Sequence, residues 1–231
     1  MPSLLSERLV CCAAMVRPGA AVADVGTDHG YLAIYLLQQR IASQVIAADL
    51  RAQPLEKARQ NARMAGVEEK IRFYLCDGLT EVAPDQIDTV ICAGMGGDTI
   101  VHILKQAPWL QNARYTLILQ PQTSGNDLRR YLGTAGFRIC EERLVRDGGK
   151  IYFAMRACFG GGRPLSPGEQ YVSEQILATH DPLLPAYLDR VERGLRRAVD
   201  GIARAKGEAD RRRLDYYETA LREVLQMRRR R

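Results

Sequence analysis

No two of the six cysteines, at positions 11, 12, 76, 92, 140 and 158, stand in a Cys-x-x-Cys pair. A cysteine zinc site is therefore not expected, and no bound metal is anticipated. Cys76, Cys92 and Cys140 fall instead in apolar, strand-like runs, where a free thiol serves as a small buried hydrophobe. That usage suits a reducing compartment. The beginning of the chain lacks the pattern of a secretory leader, and no apolar run reaches the roughly 18 residues of a membrane span. A cytoplasmic protein without membrane attachment is the expectation. The apolar fraction of 46% excludes wholesale disorder.

Charge is unevenly spread over the 231 residues. The formal net charge is +6, and the stretch from Arg163 to Arg231 holds 15 basic and 11 acidic side chains, most of the excess in under a third of the chain. Such a tail suits a polyanionic partner, although mixed acids make part of it an ordinary ion-paired face.

The organisation up to residue 160 is a run of βα units. Residues 4–16 have helical spacing, ended by Pro18-Gly19. Buried strands are expected at 20–25, 44–49, 71–76, 89–93 and 115–119, each followed by a loop and a helix. Arg138–Leu144 and Lys150–Ala157, joined by Gly148-Gly149, read as a closing antiparallel pair. Five βα units with a terminal strand pair imply an α/β, doubly wound, mostly parallel sheet with helices on both faces. Residues 161–168 read as a linker and 169–231 as a helical basic segment. There, Leu184, Leu188, Val191, Leu195, Ala198, Ile202 and Ala205, then Leu214, Tyr217, Leu221 and Val224, recur at heptad spacing. A break near Lys206-Gly207 would let the two helices fold back as a coiled-coil-like hairpin.

The sequence Asp24-Val-Gly26-Thr-Asp28-His29-Gly30 is the central chemical signal. Gly26 permits a sharp turn after the first strand, and Gly30 lets the next helix pack close. A tight structural turn alone would also explain the glycines. In a dinucleotide fingerprint a second glycine would fall at Asp28. A carboxylate there crowds and repels a pyrophosphate, whereas Asp24 and Asp28 suit the ammonium of an amino-acid moiety. That contrast favours S-adenosylmethionine over a nicotinamide dinucleotide. Asp49, 23 residues after Gly26, ends the second strand where a carboxylate accepts ribose hydroxyls, with Leu50 beside it. Asp77-Gly78 ends the third strand, where a carboxylate can take the exocyclic amine of an adenine. Each acid alone could be a cap or a turn residue; three at consecutive strand ends in cofactor order are a stronger signal.

Ala93-Gly94-Met95-Gly-Gly97 ends the fourth strand, and its small residues let a flat ring approach the backbone. Gln120-Pro121-Gln122 ends the fifth, where a carboxamide suits a nucleobase edge. The tetrapeptide Asp/Asn-Pro-Pro-Tyr/Phe of exocyclic-amine methylation is absent after the fourth strand. A ring nitrogen such as adenine N1 carries an in-plane lone pair, so alignment rather than a base is the main requirement. N1 lies on the pairing edge, so the base must be unpaired or extruded.

Asp24-x-Gly26-Thr-Asp28-His29-x-Tyr31-Leu32, Ala93-Gly-Met-Gly-Gly97 and Leu119-Gln-Pro121 together resemble the bacterial tRNA (adenine-22-N1)-methyltransferase family, the TrmK type. Asp147-Gly-Gly-Lys-Ile-Tyr152 and the helical extension are similar too. The resemblance implies a class I methyltransferase (Rossmann-like) fold with a C-terminal α-helical hairpin, S-adenosylmethionine as cofactor, tRNA as partner and methylation of adenine 22 at N1. It places Asp24, Gly26, Asp28, Asp49, Asp77 and the Ala93-Gly94-Met95 turn at the cofactor, and Gly30, Leu50 and Gly78, adjoining them in the same loops, are expected there too. His29, Met95 and Gln120 would act at the catalytic centre, with Tyr31 and Gln122 at the substrate. Gln122 stands where many relatives are expected to have Asn. Arg193, Arg196, Arg197, Arg211 and Arg212 of the tail would grip phosphates as the chain acts as a monomer. Other readings are a methyltransferase of another RNA or a small molecule with the tail as a dimerisation element, a dinucleotide oxidoreductase, and a non-catalytic RNA-binding protein.

Overall fold

The structure is a computed structural model and describes residues 5–203 and 207–230. It begins with helix α1 (Glu7–Ala13), shorter than the helical spacing of 4–16, whose first residue, Leu4, lies outside the described part. The βα units follow as expected: β1 (Ala20–Val25), α2 (Tyr31–Gln38), β2 (Ala42–Asp49), α3 (Ala52–Met64), β3 (Ile71–Leu75), β4 (Thr89–Gly96), α4 (Gly97–Gln106), β5 (Thr116–Thr123) and α5 (Gly125–Thr134). The chain closes with β6 (Phe137–Asp147) and β7 (Lys150–Phe159). Pro54 sits in the first turn of α3, where a missing N–H costs no helical hydrogen bond.

The seven strands lie in the order β3-β2-β1-β4-β5-β7-β6. β3, β2, β1, β4 and β5 are mutually parallel, and β7 runs antiparallel to both β5 and β6. Strand order reverses between β1 and β4, so their carboxyl ends border a crevice, the usual ligand position in an open α/β sheet. Both faces are covered. Alternate residues Ala23, Val25, Val90, Cys92, Leu117 and Leu119 pack with α4, α5 and the C-terminal helices; Val22, Val45, Ile91 and Ile118 pack with α1 and α2. This two-sided burial is why the strands read as continuous apolar runs.

Two strands run further than the sequence suggests. β4 continues through Gly94-Met95-Gly96, and β5 through Gln120-Pro121-Gln122, which the sequence reads as a loop. Pro121 is tolerated because it lies opposite Met95 at a register shift, where the ladder does not need its N–H.

The 160–168 stretch forms no helix or strand, but it is not detached. Ser166 Oγ and Gly168 N donate to Glu223, and Arg163 is paired with Glu169. A short helix α6 (Glu174–Leu177), too short for a periodic signal, precedes α7 (Leu184–Ile202) and α8 (Glu208–Arg229). These last two form the expected hairpin: Arg228 near the end of α8 bonds Asp189 and Glu192 near the start of α7. Lys206 of the expected break, Ala205 and the terminal Arg231 lie outside the described residues. The heptad residues Leu184, Leu188, Leu195 and Val224 are buried in the same core as the sheet. Arg129 of α5 fastens this junction. Its guanidinium lies 2.9 Å from Glu142 of β6, donates to the carbonyls of Gln170 and Tyr171, and reaches the Tyr187 hydroxyl of α7. It also stacks over Phe153, 3.9 Å from the ring centre.

Candidate functional site

A cleft of about 380 Å³ opens at the carboxyl ends of β1, β2, β3 and β4. Every residue expected at the cofactor lines it except Gly30: Asp24, Gly26, Asp28, Asp49, Leu50, Asp77, Gly78, Ala93, Gly94 and Met95. His29 and Tyr31 line it as well. Gly30 has a different task. It adopts φ +74°, and a Cβ there would come within 2.9 Å of the Ala58 Cβ of α3, so only glycine lets α2 and α3 pack at this distance.

The loop after β1 is held by main-chain bonds. Gly26 N and Thr27 N both donate to the carbonyl of Ala48 on β2, and Asn61 of α3 donates to the carbonyl of His29. Asp28 is forced to φ +49°, a left-handed conformation that aspartate tolerates better than most side chains. Its amide donates to Asp49 Oδ2 at 3.3 Å, while Asp49 Oδ1 accepts from Arg51 N at 2.9 Å. Asp49 is thus buried and fixed by the backbone, its carboxylate at the cleft wall. Leu50 beside it is 69% exposed, an apolar surface suited to the face of a flat ring.

Asp24 is buried, and among the described residues no cation pairs with it. The Thr27 hydroxyl donates to it at 2.7 Å. Burial, reinforced by the neighbouring negative Asp49 and only partly offset by Thr27, pushes its carboxyl up to about 6. A carboxylate so placed is stabilised by an incoming cation. Asp24, Asp49 and Asp77 thus give one cleft three carboxylate acceptors, a set whose chemistry fits the ammonium, hydroxyl and amine donors of S-adenosylmethionine. Asp77 is half exposed, with Gln106 Nε2 at 3.2 Å and His102 Nε2 at 3.6 Å. Among the described residues no cluster of His, Cys, Asp and Glu could hold a metal ion.

The acceptor side lies at the ends of β4 and β5. Here the structure corrects the expectation for Gln120, which does not line the cleft. Its side chain is fully buried and bonded at both ends: Oε1 accepts from Gly94 N and from Arg8 Nη1, each at 3.2 Å, and Nε2 donates to the Pro121 carbonyl. Gln120 therefore sets the Gly94–Met95 turn rather than touching an acceptor. Gln122 is exposed, and its amide nitrogen lies 3.7 Å from where a Cβ on Gly94 would stand. Gly94 has φ +81°, and that same Cβ would meet Arg8 Nη1 at 2.8 Å. Met95 leans on Gly26, its sulfur 3.3 Å from the corresponding Cβ position there. His29 tilts against Tyr31 with ring centres 5.6 Å apart, and its Nδ1 is buried without a hydrogen-bond partner among the described residues.

Arg8, Thr27, Arg51 and Thr99 also line the cleft and were not singled out from sequence. Arg8 was the readable one, the sole cation in the run Leu4–Val16. The tail residues Arg193, Arg196, Arg197, Arg211 and Arg212 lie on α7 and α8, outside the cleft, with exposed side chains. Arg196 is engaged by Glu192, and Arg197 by the Arg193 carbonyl.

A parallel sheet with this strand order, an antiparallel β7 between β5 and β6, and acids at the first strand ends defines the class I methyltransferase fold. The methyltransferase-domain family matches residues 5–155, and the chain belongs to it. The tRNA (adenine(22)-N(1))-methyltransferase of Bacillus subtilis is 32% identical over 148 residues, 64% of this chain and 62% of that protein. The chain spans about three fifths of the length of the first curated relatives it matches. The crystal structure of the B. subtilis m1A22 tRNA methyltransferase TrmK superposes with a TM-score of 0.85 at 25% identity, over 97% of this chain and 99% of that one. A Streptococcus pneumoniae structure solved in complex with S-adenosyl-L-methionine superposes with a TM-score of 0.77 at 29% identity, over 94% and 98% of the two chains.

Proposed function

We propose that the protein transfers the methyl group of S-adenosylmethionine to N1 of an adenine in tRNA, at position 22 as in the relative from B. subtilis. The observation that carries this reading is the convergence of Asp24, Asp49 and Asp77 on one cleft beside the Gly94–Met95 turn, in a chain similar over nearly its whole length to an m1A22 enzyme. When bound, the cofactor supplies an electrophilic methyl group. Asp24 and Asp28 receive its ammonium, Asp49 its ribose hydroxyls and Asp77 its adenine amine. Gly94, held by Gln120, has no side chain because the Arg8 guanidinium fills that space, and the turn it makes sets Met95 at the cleft wall where a flat acceptor ring would lie. His29, with its unpartnered Nδ1, and Tyr31 bound the cleft where they can meet the acceptor base. N1 has its own in-plane lone pair to replace the sulfur at the methyl carbon, with S-adenosylhomocysteine as the leaving group, so the protein's contribution would be alignment. The segment 169–231 is the RNA-gripping part, with Arg193, Arg197, Arg211 and Arg212 exposed on its helices.

The test is incubation of the protein with unmodified tRNAs and methyl-labelled S-adenosylmethionine, followed by mapping of the labelled nucleotide. Label at N1 of adenine 22 is the expected result. Label on another base or on no RNA would overturn the assignment.

A further inference from the structure

The antiparallel pair β6–β7 is longer than the sheet requires. β7 leaves β5 at the pair Leu119–Met155, yet β6 and β7 stay paired from there to Asp147–Lys150. At about 3.3 Å per residue the free part is an arm of roughly 17 Å. Gly148 and Gly149, with φ +53° and +77°, close it in the tight turn that two left-handed residues allow. The arm is tied down on both sides. Arg8, which lines the cleft, donates to Asp147 at 3.1 Å, and Arg190 of α7 donates to the Ile151 carbonyl.

Its tip carries two exposed cations, Arg146 and Lys150, neither ion-paired with a described residue. Cross-strand partners share a face and successive residues alternate. Lys150 therefore lies on the face of Asp147, toward Arg8 and the cleft; Arg146 lies on the opposite face with Ile151, toward α7. The neighbouring charges do not cancel them. Asp147 is engaged by Arg8, and Arg143 and Arg156 further down the arm are engaged by Glu141. The tip thus bridges the arginine-bearing helix and the mouth of the cleft with uncompensated positive charge.

We infer that the tip of the β6–β7 arm is a contact for the RNA phosphate backbone, joining the grip of the C-terminal helices to the cleft that takes the target base. The inference rests on the RNA substrate proposed above and adds a surface to it. An arm tied at both sides fixes the backbone that carries these cations before RNA arrives, so a phosphate meeting them has only the two side chains to order. Phosphate contacts of this kind set register without reading sequence.

The experiment is a salt series of tRNA binding, by filter retention, for the wild type and for the double variant Arg146→Gln, Lys150→Gln. Losing two phosphate contacts should lower the slope of log affinity against log salt by about two and weaken binding at low salt by at least about ten-fold. Affinity for S-adenosylmethionine, by calorimetry, should not change. The charge-conserving pair Arg146→Lys, Lys150→Arg should bind as the wild type does. A double variant with wild-type affinity and slope would overturn the arm as an RNA contact, and so would a charge-conserving pair as weak as the glutamine pair. A wild type that transfers no methyl to tRNA would instead overturn the function on which the inference rests.

Discussion

Asp24, in the cleft, and Glu142, under the C-terminal helices, are both almost sealed from water, and the fold treats them in opposite ways. Glu142 has the Arg129 guanidinium 2.9 Å from Oε1 and the Ser173 hydroxyl on Oε2. Asp24 has the Thr27 hydroxyl and no cation among the described residues. A buried charge without a partner is costly, so a fold keeps one where a ligand completes it. The difference separates a junction that is finished by folding from a site that is finished by binding.

The largest effect that can break this contrast is at the junction. Arg129→Met should leave Glu142 unpaired in the interior and strip donors from the carbonyls of Gln170 and Tyr171, at a cost of about 3–5 kcal/mol. Arg129→Met combined with Glu142→Leu should recover part of that loss, because the stranded charge is gone. Urea denaturation measures both. A single variant no less stable than the double would mean that Glu142 does not depend on Arg129.

Next comes Asp24, where the expected sign is reversed. Its carboxyl stands at about 6 in the folded chain against 3.8 for an ordinary aspartate, mainly through burial. The stability linked to its neutral form is fully present below 3.8 and is lost as pH rises through about 6. Asp24→Asn removes the ionisation and keeps an acceptor for Thr27. Without cofactor it should therefore gain up to about 3 kcal/mol at pH 7.5 and much less at pH 4. Its affinity for S-adenosylmethionine should fall, because the ammonium loses its proposed counter-charge. Urea titrations at the two pH values check the first part. A gain equal at both would show that repacking, not charge, is responsible.

How much of this could be read beforehand follows the same division. Asp24, Asp49 and Asp77 were legible because each sits at the end of its own apolar run, where local pattern marks a strand and its loop. The bond between Arg8 and Gln120 was not, since it joins residues 112 positions apart and only the folded sheet shows that Gln120 faces inward. That β5 runs on through Pro121 depends on its register against Met95, a long-range pairing with no local sign in the sequence. The heptad spacing of α7 and α8 announced a hairpin, but Arg129 and Glu142 carry no local sign of being its anchor. The four residues of α6 are too few for any period to show.

A smaller effect is expected at Asp49. Asp49→Ala removes the acceptor of Asp28 N and Arg51 N and the proposed partner of the ribose hydroxyls. Hydrogen bonds to charged groups contribute about 1.5–3 kcal/mol, so cofactor affinity should fall on the order of ten- to a hundred-fold by calorimetry. Unchanged affinity would remove the ribose from this wall of the cleft and leave Asp49 as a brace for the loop.

The smallest effect is expected at the surface. Arg196 and Glu192 on α7 form an ion pair at 2.8 Å, a geometry no poorer than that of Arg129 and Glu142, but the Arg196 side chain is 54% exposed. Water and salt screen such a pair, and holding two long side chains together costs entropy, so Arg196→Ala should change stability by no more than about 0.5 kcal/mol. Glu192 also keeps Arg228 as a partner, which reduces the loss further. Thermal unfolding of the two variants, Arg196→Ala beside Arg129→Met, puts the same chemistry at two depths side by side. If the exposed pair proved as costly to break as the buried one, depth would not be what distinguishes the finished junction from the waiting cleft, and the raised carboxyl of Asp24 would need a cause other than burial.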